Sequence, residues 1–145
     1  MSSDEKSAVD RAGYAALDEK IEVEARGEES IRNDLLLVFP FEHTSREPEI
    51  QIHTEEFTAL CPWSGLPDLG SLRIEYVPDR VLLELKSLKY YLLSFRQVGI
   101  AQEHAACRIL DDLLRAISPR RMTVTLEYRA RGGIVTTVTV RHPES

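Results

Sequence analysis

The chain has 145 residues, of which 43% are hydrophobic and 29% are charged, a composition typical of one globular domain with its own hydrophobic core. The formal net charge of -6 argues against nucleic-acid binding as the main activity, and two cysteines are too few for a disulfide framework. The N-terminus lacks a secretory signal pattern, and no apolar run approaches the roughly 20 residues that cross a bilayer. We therefore expect a cytoplasmic protein without a direct nucleic-acid or membrane partner.

The acidic charge is concentrated near the N-terminus. Residues 1–30 contain nine acidic and four basic side chains, so this segment carries five of the six net negative charges. It is also poor in large apolar residues, and such a segment buries too little surface to offset the entropy lost on ordering. We predict an acidic, disordered tail over residues 1–33 and a single catalytic domain over residues 34–145.

Past the tail, the first half of the domain has extended patterns. An apolar stretch over residues 35–43 predicts an extended lead-in. Alternation of apolar and polar side chains predicts a strand over residues 48–60. Residues 69–87 indicate two further strands, joined by a turn at residues 77–80 that contains proline and aspartate.

The period then becomes helical. From Ser87, a candidate N-cap, apolar side chains recur at i, i+3, i+4 and i+7, namely Leu88, Tyr91, Leu92 and Phe95. A second helical pattern over residues 101–119 is stopped by its final residue, Pro119. Residues 121–142 alternate again around a pair of glycines, which predicts a β-hairpin. Strands, two helices and strands in this order predict an α+β fold of two layers, whose edge strands favour an oligomer.

The stretch FTALCPWSGLPD, residues 57–68, contains the first candidate chemistry. Cys61 lies where a strand gives way to a loop, and Asp68 follows two prolines and a glycine that turn the chain back. A thiolate at Cys61 can act as a nucleophile, with Asp68 as its proton donor. Cysteines at strand ends are more often structural, so the residues alone leave both interpretations open. Cys107, in the second helix, is expected to be a buried packing residue.

Two further features suggest a ligand. In ELKSLKYY, residues 84–91, Lys86 and Lys89 lie at a predicted helix start, where cations oppose the helix dipole. This arrangement suits a phosphate, although two solvated lysines are the simpler interpretation. Glu103 lies in the first turn of the second helix, where a carboxylate either complements the helix dipole or accepts paired N–H groups from a ligand.

The motifs FTALCPWSGLPD, ELKSLKYY and RGG occur here in an order and spacing that point to one family. From about Leu37 to Arg141, the chain resembles the NADPH-dependent 7-cyano-7-deazaguanine reductases, the nitrile reductases of queuosine biosynthesis, a tRNA modification pathway. The resemblance implies a tunnelling fold, with two helices packed on one face of a four-stranded antiparallel sheet. It also implies homo-oligomers, pentameric rings or decamers, with active sites at subunit interfaces.

The resemblance also implies roles for individual residues. Cys61 matches the nucleophile that adds to the nitrile carbon to form a thioimide, and Asp68 matches the acid that supplies protons to the nitrogen. Two hydrides from two NADPH molecules then give the aminomethyl product. Glu103 matches the glutamate that binds the guanine-like edge of the substrate. No metal is implied, and the residues assigned to NADPH are Glu84, Lys86, Ser87, Lys89, Tyr90 and Arg131.

One departure from the family pattern concerns substrate binding. The family usually has His-Glu at the start of the base-binding helix, whereas this chain has Gln102-Glu103-His104, and we assign all three residues to substrate binding. Gln102 forms hydrogen bonds but carries no proton at neutral pH. His104 lies about 100° further around the helix than Glu103, so it does not simply replace the family histidine.

Three alternatives to nitrile reduction would use the same fold. An amidine-forming transferase acting on modified tRNA would use the same thioimide chemistry, but it is expected to lack the nicotinamide motif present here. A non-catalytic assembly module would not be expected to retain Cys61, Asp68 and Glu103. A tunnelling-fold zinc hydrolase would need a Cys/His ligand set that the sequence lacks. Nitrile reduction is therefore the function that we expect.

Overall fold

The computed structural model describes residues 24–144. Within them, two 3-10 turns, Glu28–Ser30 and Asn33–Leu35, precede the strands and helices of the domain. The elements are β1 (Val38–Pro40), β2 (Ile50–Leu60), β3 (Pro67–Val77), β4 (Val81–Leu83), α1 (Leu85–Leu93), α2 (Gln102–Ile117), β5 (Arg121–Tyr128) and β6 (Thr137–His142).

The main sheet has four strands in the order β2-β3-β5-β6, and each neighbouring pair is antiparallel. This confirms the predicted α+β class and the four-stranded sheet. The short strand β4 follows β3 in the chain but pairs with β1, in a separate two-stranded sheet. The apolar lead-in that the sequence indicated is therefore partly a strand, and its partner is the segment just before α1.

The core lies between the sheet and the helices. Along β5 the alternate side chains of Met122, Val124 and Leu126 are buried, as the period of two predicts. The buried face of α2 has the helical spacing that the sequence showed, and it packs against β5 and β6. These residues share one hydrophobic cluster with the buried side chains of α1. The sheet and the two helices thus bury a common core, and the start of α2 is held against the end of β5.

The helix boundaries refine the predictions from sequence. The N-cap of α1 is Glu84 and not Ser87, because the Glu84 carboxylate accepts hydrogen bonds from the backbone N–H groups of Lys86 at 2.8 Å and Ser87 at 2.7 Å. Helix α2 ends at Ile117, two residues before the predicted stop at Pro119. The prediction for Cys107 is wrong, because this side chain is exposed on α2, outside the buried face of the helix.

Part of the segment assigned to the tail contacts the domain. The backbone of Arg26 exchanges hydrogen bonds with Gln97 and Gly99, and the side chain of Ile31 is buried. Residues 24–33 therefore pack against the domain, and the boundary near residue 34 stays a prediction because residues 1–23 lie outside the described part. Among the helices of residues 24–144, none is long and apolar enough to span a membrane.

Candidate active site

A cavity of about 310 Å³ lies at one end of the main sheet. Its walls come from the β2–β3 loop, the start of α2, the end of β5 and the loop that leads to β6. The volume is at the lower end of the range of roughly 300–1,000 Å³ for small-molecule sites. The polar lining includes five residues singled out from the sequence and one that was not: Cys61, Asp68, Gln102, Glu103 and Arg131, together with Tyr128.

The β2–β3 hairpin brings Cys61 and Asp68 to the same wall. Ala59 and Asp68 are register partners in the paired strands, so Asp68 returns to within two residues of Cys61 along the ladder. The loop is closed by two backbone hydrogen bonds, from Cys61 N–H to Leu66 C=O at 2.9 Å and from Gly65 N–H to Cys61 C=O at 2.8 Å. Gly65 has a φ of 72°, a left-handed conformation that glycine adopts without strain. The predicted fold-back of the loop is confirmed.

The thiol of Cys61 is buried, yet it faces several hydrogen-bond donors. The backbone N–H of Ser64 lies 3.5 Å from Cys61 Sγ. Burial raises the pKa of the thiol, but hydrogen bonds from Ser64, Trp63 and Arg131 outweigh burial and lower the pKa from 9.0 to about 7. A large fraction of Cys61 is therefore thiolate at neutral pH, which is the reactive form of a nucleophile.

Arg131 joins the two predicted catalytic groups. Its guanidinium forms an ion pair with the buried carboxylate of Asp68 and is also one of the hydrogen-bond donors that lower the pKa of Cys61. The loop that presents Arg131 turns through Gly132 and Gly133, whose φ angles of 57° and 77° lie in the left-handed region. The structure thus places Arg131 with the thiol and the acid, whereas the resemblance placed it with the cofactor residues.

The start of α2 forms another part of the cavity wall. The buried side chain of Gln102 donates two hydrogen bonds through Nε2, to the carbonyl oxygens of Leu126 at 2.9 Å and Thr136 at 2.7 Å. These bonds fix the end of β5 and the approach to β6, so Gln102 positions the wall of the cavity. The Glu103 carboxylate is exposed and lines the cavity, whereas His104 is exposed and lies outside the lining.

Apart from Arg131, the residues assigned to NADPH lie elsewhere, on and before α1. Glu84 caps the helix, and the buried Ser87 hydroxyl accepts from Leu37 N–H at 2.9 Å and donates to the Glu84 carbonyl at 2.8 Å. Both residues use their polar atoms within the chain, which argues against direct ligand contact by either. Lys86, Lys89 and Tyr90 are exposed on α1. In the described part of the chain, none of these five residues lines the cavity of Cys61.

The helix cap also changes the expected phosphate site. Hydrogen bonds from the N–H groups of Ser87 and Lys86 lower the pKa of the Glu84 carboxyl, which keeps it ionised against the helix N-terminus. The N–H groups of Lys86 and Ser87 are thus already bound by the Glu84 carboxylate, which argues against a phosphate at these two groups. An anion at this helix would meet the ammonium groups of the two lysines instead.

The site contains residues that the motifs did not identify. Tyr128 looked like the last core residue of an alternating strand, and its sequence position before the RGG turn is the only signal that it could reach a site. Ser64 and Trp63 belong to the cysteine loop but were not assigned to the thiol. Over residues 24–144, no three His, Cys, Asp or Glu side chains come together in a group that could hold a metal ion.

The fold and the site together define a class, a tunnelling-fold protein with a free cysteine in a cavity at the end of its sheet. A solved structure titled as the archaeosine synthase QueF-Like in the apo form matches this fold with a TM-score of 0.62. The match covers 66% of this chain and 95% of that one, at 24% sequence identity, and it shows the fold alone.

Sequence comparisons identify the family within that class. The family described as QueF-like protein matches residues 67–145. Proteins named NADPH-dependent 7-cyano-7-deazaguanine reductase from Caldicellulosiruptor bescii and Chlorobium luteolum are 49% and 50% identical to this chain over 116 and 115 residues. These alignments cover 80% and 79% of this chain, and 88% and 99% of the two relatives. The chain belongs to the family of QueF-like proteins.

Proposed function

We propose that this protein is a cytoplasmic enzyme that reduces the nitrile of 7-cyano-7-deazaguanine to an aminomethyl group with NADPH, in queuosine biosynthesis. The observation that carries the proposal is the meeting of Cys61, Asp68 and Glu103 in one cavity, with the pKa of the thiol lowered to about 7. The names of the similar reductases supply the substrate class and the reductant.

The first step is addition of the Cys61 sulfur to the nitrile carbon. The thiol proton passes to the Asp68 carboxylate, the C–S bond forms, and one π pair of the nitrile moves to nitrogen. Asp68 then gives its proton to that nitrogen, so the product is a neutral thioimide and the carboxylate is restored. Arg131 pairs with Asp68 and donates to the thiolate, so its positive charge stabilises the charged forms of both groups.

The base is held by Glu103. Its carboxylate is exposed in the cavity and offers two acceptor oxygens to the adjacent N–H donors of a guanine-like edge. Gln102 supports this wall through its two bonds to the backbone, so its role is to position the pocket and not to carry a proton. The guanine-like edge at Glu103 and the nitrile at Cys61 then fix the orientation of the substrate.

Two NADPH molecules, bound in succession, would each supply one of the two hydrides of the reduction. Lys86 and Lys89 fit the phosphates of NADPH, because both ammonium groups are exposed on the first turns of α1, and in the described part of the chain neither forms an ion pair. These lysines do not line the Cys61 cavity of their own chain. We therefore place the complete site at a subunit interface of a homo-oligomer, where α1 of one subunit faces the cavity of another.

Spectroscopy and NADPH consumption test this function. Mixing the protein with 7-cyano-7-deazaguanine is expected to produce a new near-ultraviolet absorbance from the thioimide, and the Cys61→Ala variant is expected to produce none. With NADPH added, two equivalents should be oxidised per nitrile. Absence of the adduct in the unmodified protein would refute the covalent mechanism. An adduct that forms without NADPH oxidation would favour the amidine-forming transferase.

A further inference from the structure

The hydroxyl of Tyr128 is a buried polar group without a partner. Only 6% of the residue is exposed, and its side chain lines the cavity beside Cys61 and Glu103. Among residues 24–144, no donor or acceptor forms a hydrogen bond with this oxygen. A buried hydroxyl without a hydrogen bond leaves the cost of its desolvation uncompensated. A phenylalanine would fill the same space without that cost, so we expect the hydroxyl to form a hydrogen bond with a bound ligand.

The ring that presents this hydroxyl is held firmly. Tyr128 is paired with Gly70 across β3 and β5, and a Cβ on Gly70 would lie 2.6 Å from Tyr128 Cδ1. The tyrosine ring therefore occupies the space that a side chain at position 70 would need. On another side the ring stacks on Phe57, with centroids 6.3 Å apart and planes 17° apart. These contacts fix the ring, so the hydroxyl is pre-oriented before any ligand binds.

The electrostatics of the cavity make this hydroxyl a donor. Burial raises the pKa of the Tyr128 phenol, and the nearby charge of Glu103 raises it further. The phenol thus keeps its proton at neutral pH. Glu103 is an acceptor, so the two side chains offer a donor and an acceptor to one ligand. A ring edge with an N–H beside a carbonyl has the complementary pattern.

From this geometry, and resting on the proposed function, we infer that the Tyr128 hydroxyl donates a hydrogen bond to the ring carbonyl of the base. In 7-cyano-7-deazaguanine the carbonyl lies between the nitrile and the N–H edge. Cys61 must reach the nitrile, and Glu103 accepts from the N–H edge. The Tyr128 hydroxyl lines the same cavity as Cys61 and Glu103. It is therefore matched to the carbonyl that lies between the nitrile and the N–H edge of the base. Tyr128 would then be a specificity-determining residue that selects bases with this carbonyl over bases without it.

Ligand binding to Tyr128→Phe tests the inference. The variant is made in a Cys61→Ala background, so that calorimetry reports binding without chemistry. The ligands are 7-cyano-7-deazaguanine and its thiocarbonyl analogue, which keeps the N–H edge that Glu103 binds but has sulfur, a much weaker hydrogen-bond acceptor, in place of the carbonyl oxygen. We expect Tyr128→Phe to raise the Kd of the natural base about 3- to 10-fold, the loss of one neutral hydrogen bond. The Kd of the analogue should change less than about twofold, since its thiocarbonyl accepts a hydrogen bond only weakly.

Tyr76 provides a matched control. It is a buried tyrosine outside the cavity lining, and its hydroxyl accepts a hydrogen bond from Leu83 N–H at 3.2 Å. Tyr76→Phe should lower the melting temperature of the ligand-free protein and leave the preference for the carbonyl unchanged. Tyr128→Phe should not lower the melting temperature, because its hydroxyl has no partner to lose.

The outcomes separate this inference from the function on which it rests. Equal effects of Tyr128→Phe on both ligands, or a lowered melting temperature in that variant, would overturn the role of the hydroxyl and leave the reductase proposal standing. If the Cys61→Ala background itself binds neither base, while its circular dichroism matches that of the unmodified protein, the substrate class is wrong and both proposals fall.

Discussion

The reactivity of Cys61 depends on which of two opposing influences on its pKa prevails. Burial disfavours the charged thiolate, and the hydrogen bonds of the β2–β3 loop favour it. The strongest of these donors is Ser64, three residues further along the same loop. The loop that turns the chain back to Asp68 therefore also activates the nucleophile. Local sequence thus sets both the position and the ionisation of the thiol.

The pH dependence of alkylation tests this account. Because the pKa of Cys61 is lowered to about 7, roughly a tenth of the thiol should be ionised at pH 6 and roughly nine tenths at pH 8. The rate of reaction with iodoacetamide should rise with pH through a midpoint near 7. Ser64→Ala should move the midpoint upward, towards the ordinary value of 9.0, because one hydrogen bond to the thiolate is lost.

The measurement needs a background without the second thiol, since Cys107 is exposed and would also react. Mass spectrometry of Cys107→Ser gives the rate at Cys61 alone. Ser45→Ala, a change at an exposed serine far along the chain from the loop, serves as the control and should leave the midpoint in place. A pH midpoint near 9.0 in this background would contradict the proposed activation, and so would a midpoint that Ser64→Ala leaves unchanged.

At the scale of elements, Asp112 connects three parts of the molecule. Its side chain on α2 is buried and accepts hydrogen bonds from Tyr91 on α1 at 2.5 Å, from Arg108 on α2 at 2.8 Å and from Asn33 at 3.3 Å. The N-terminal segment, α1 and α2 thus meet at one carboxylate. This network fixes α2, whose first turn supplies Gln102 and Glu103 to the cavity.

Removing this carboxylate should destabilise the fold. Asp112→Ala leaves a buried tyrosine hydroxyl and a largely buried guanidinium without their acceptor, so we expect the free energy of unfolding to fall by about 2–4 kcal/mol. Urea denaturation at a fixed protein concentration measures the change. Asp111→Ala, the neighbouring exposed acid on the same helix, should change it by less than about 0.5 kcal/mol. Similar losses in both variants would show that the network does not stabilise the fold.

The sequence predicted elements better than connections between them. The periods of β2, β5 and α2 were visible because each depends on neighbouring residues. The pairing of β1 with β4 was not, because its register partners, such as Val38 and Leu83, lie far apart in the sequence and form a sheet of their own. In the site, Cys61 and Asp68 could be placed together because one short loop joins them. The partners of Gln102 lie 24 and 34 residues away, so no local pattern indicates them.

At the scale of the whole molecule, the residues assigned to the reaction fall into two groups. Cys61 and Asp68 line the cavity, whereas Lys86 and Lys89 lie outside it on α1. The outer edges of β2 and β6 have no partner strand among the described residues, and unpaired edges of this kind favour association with another copy. A ring of subunits would cover these sheet edges, and it would also bring α1 of one copy to the cavity of the next.

Mixed oligomers test whether the site is shared. Cys61→Ala subunits keep the lysines, and subunits with Lys86→Ala and Lys89→Ala keep the nucleophile. If each site combines a cavity from one subunit with α1 from another, random mixing of equal amounts gives roughly a quarter of the sites both intact parts. Co-assembly of the two inactive variants should therefore restore about a quarter of the wild-type rate of NADPH oxidation, measured at limiting NADPH, per site.

Cys61→Ala mixed with Asp68→Asn is the control. Both residues line the same cavity of one chain, so this mixture should stay inactive even though it assembles in the same way. Mixtures with the lysine variant that also stay inactive would show that each chain uses its own α1, and the two groups would then have to meet by movement within one subunit.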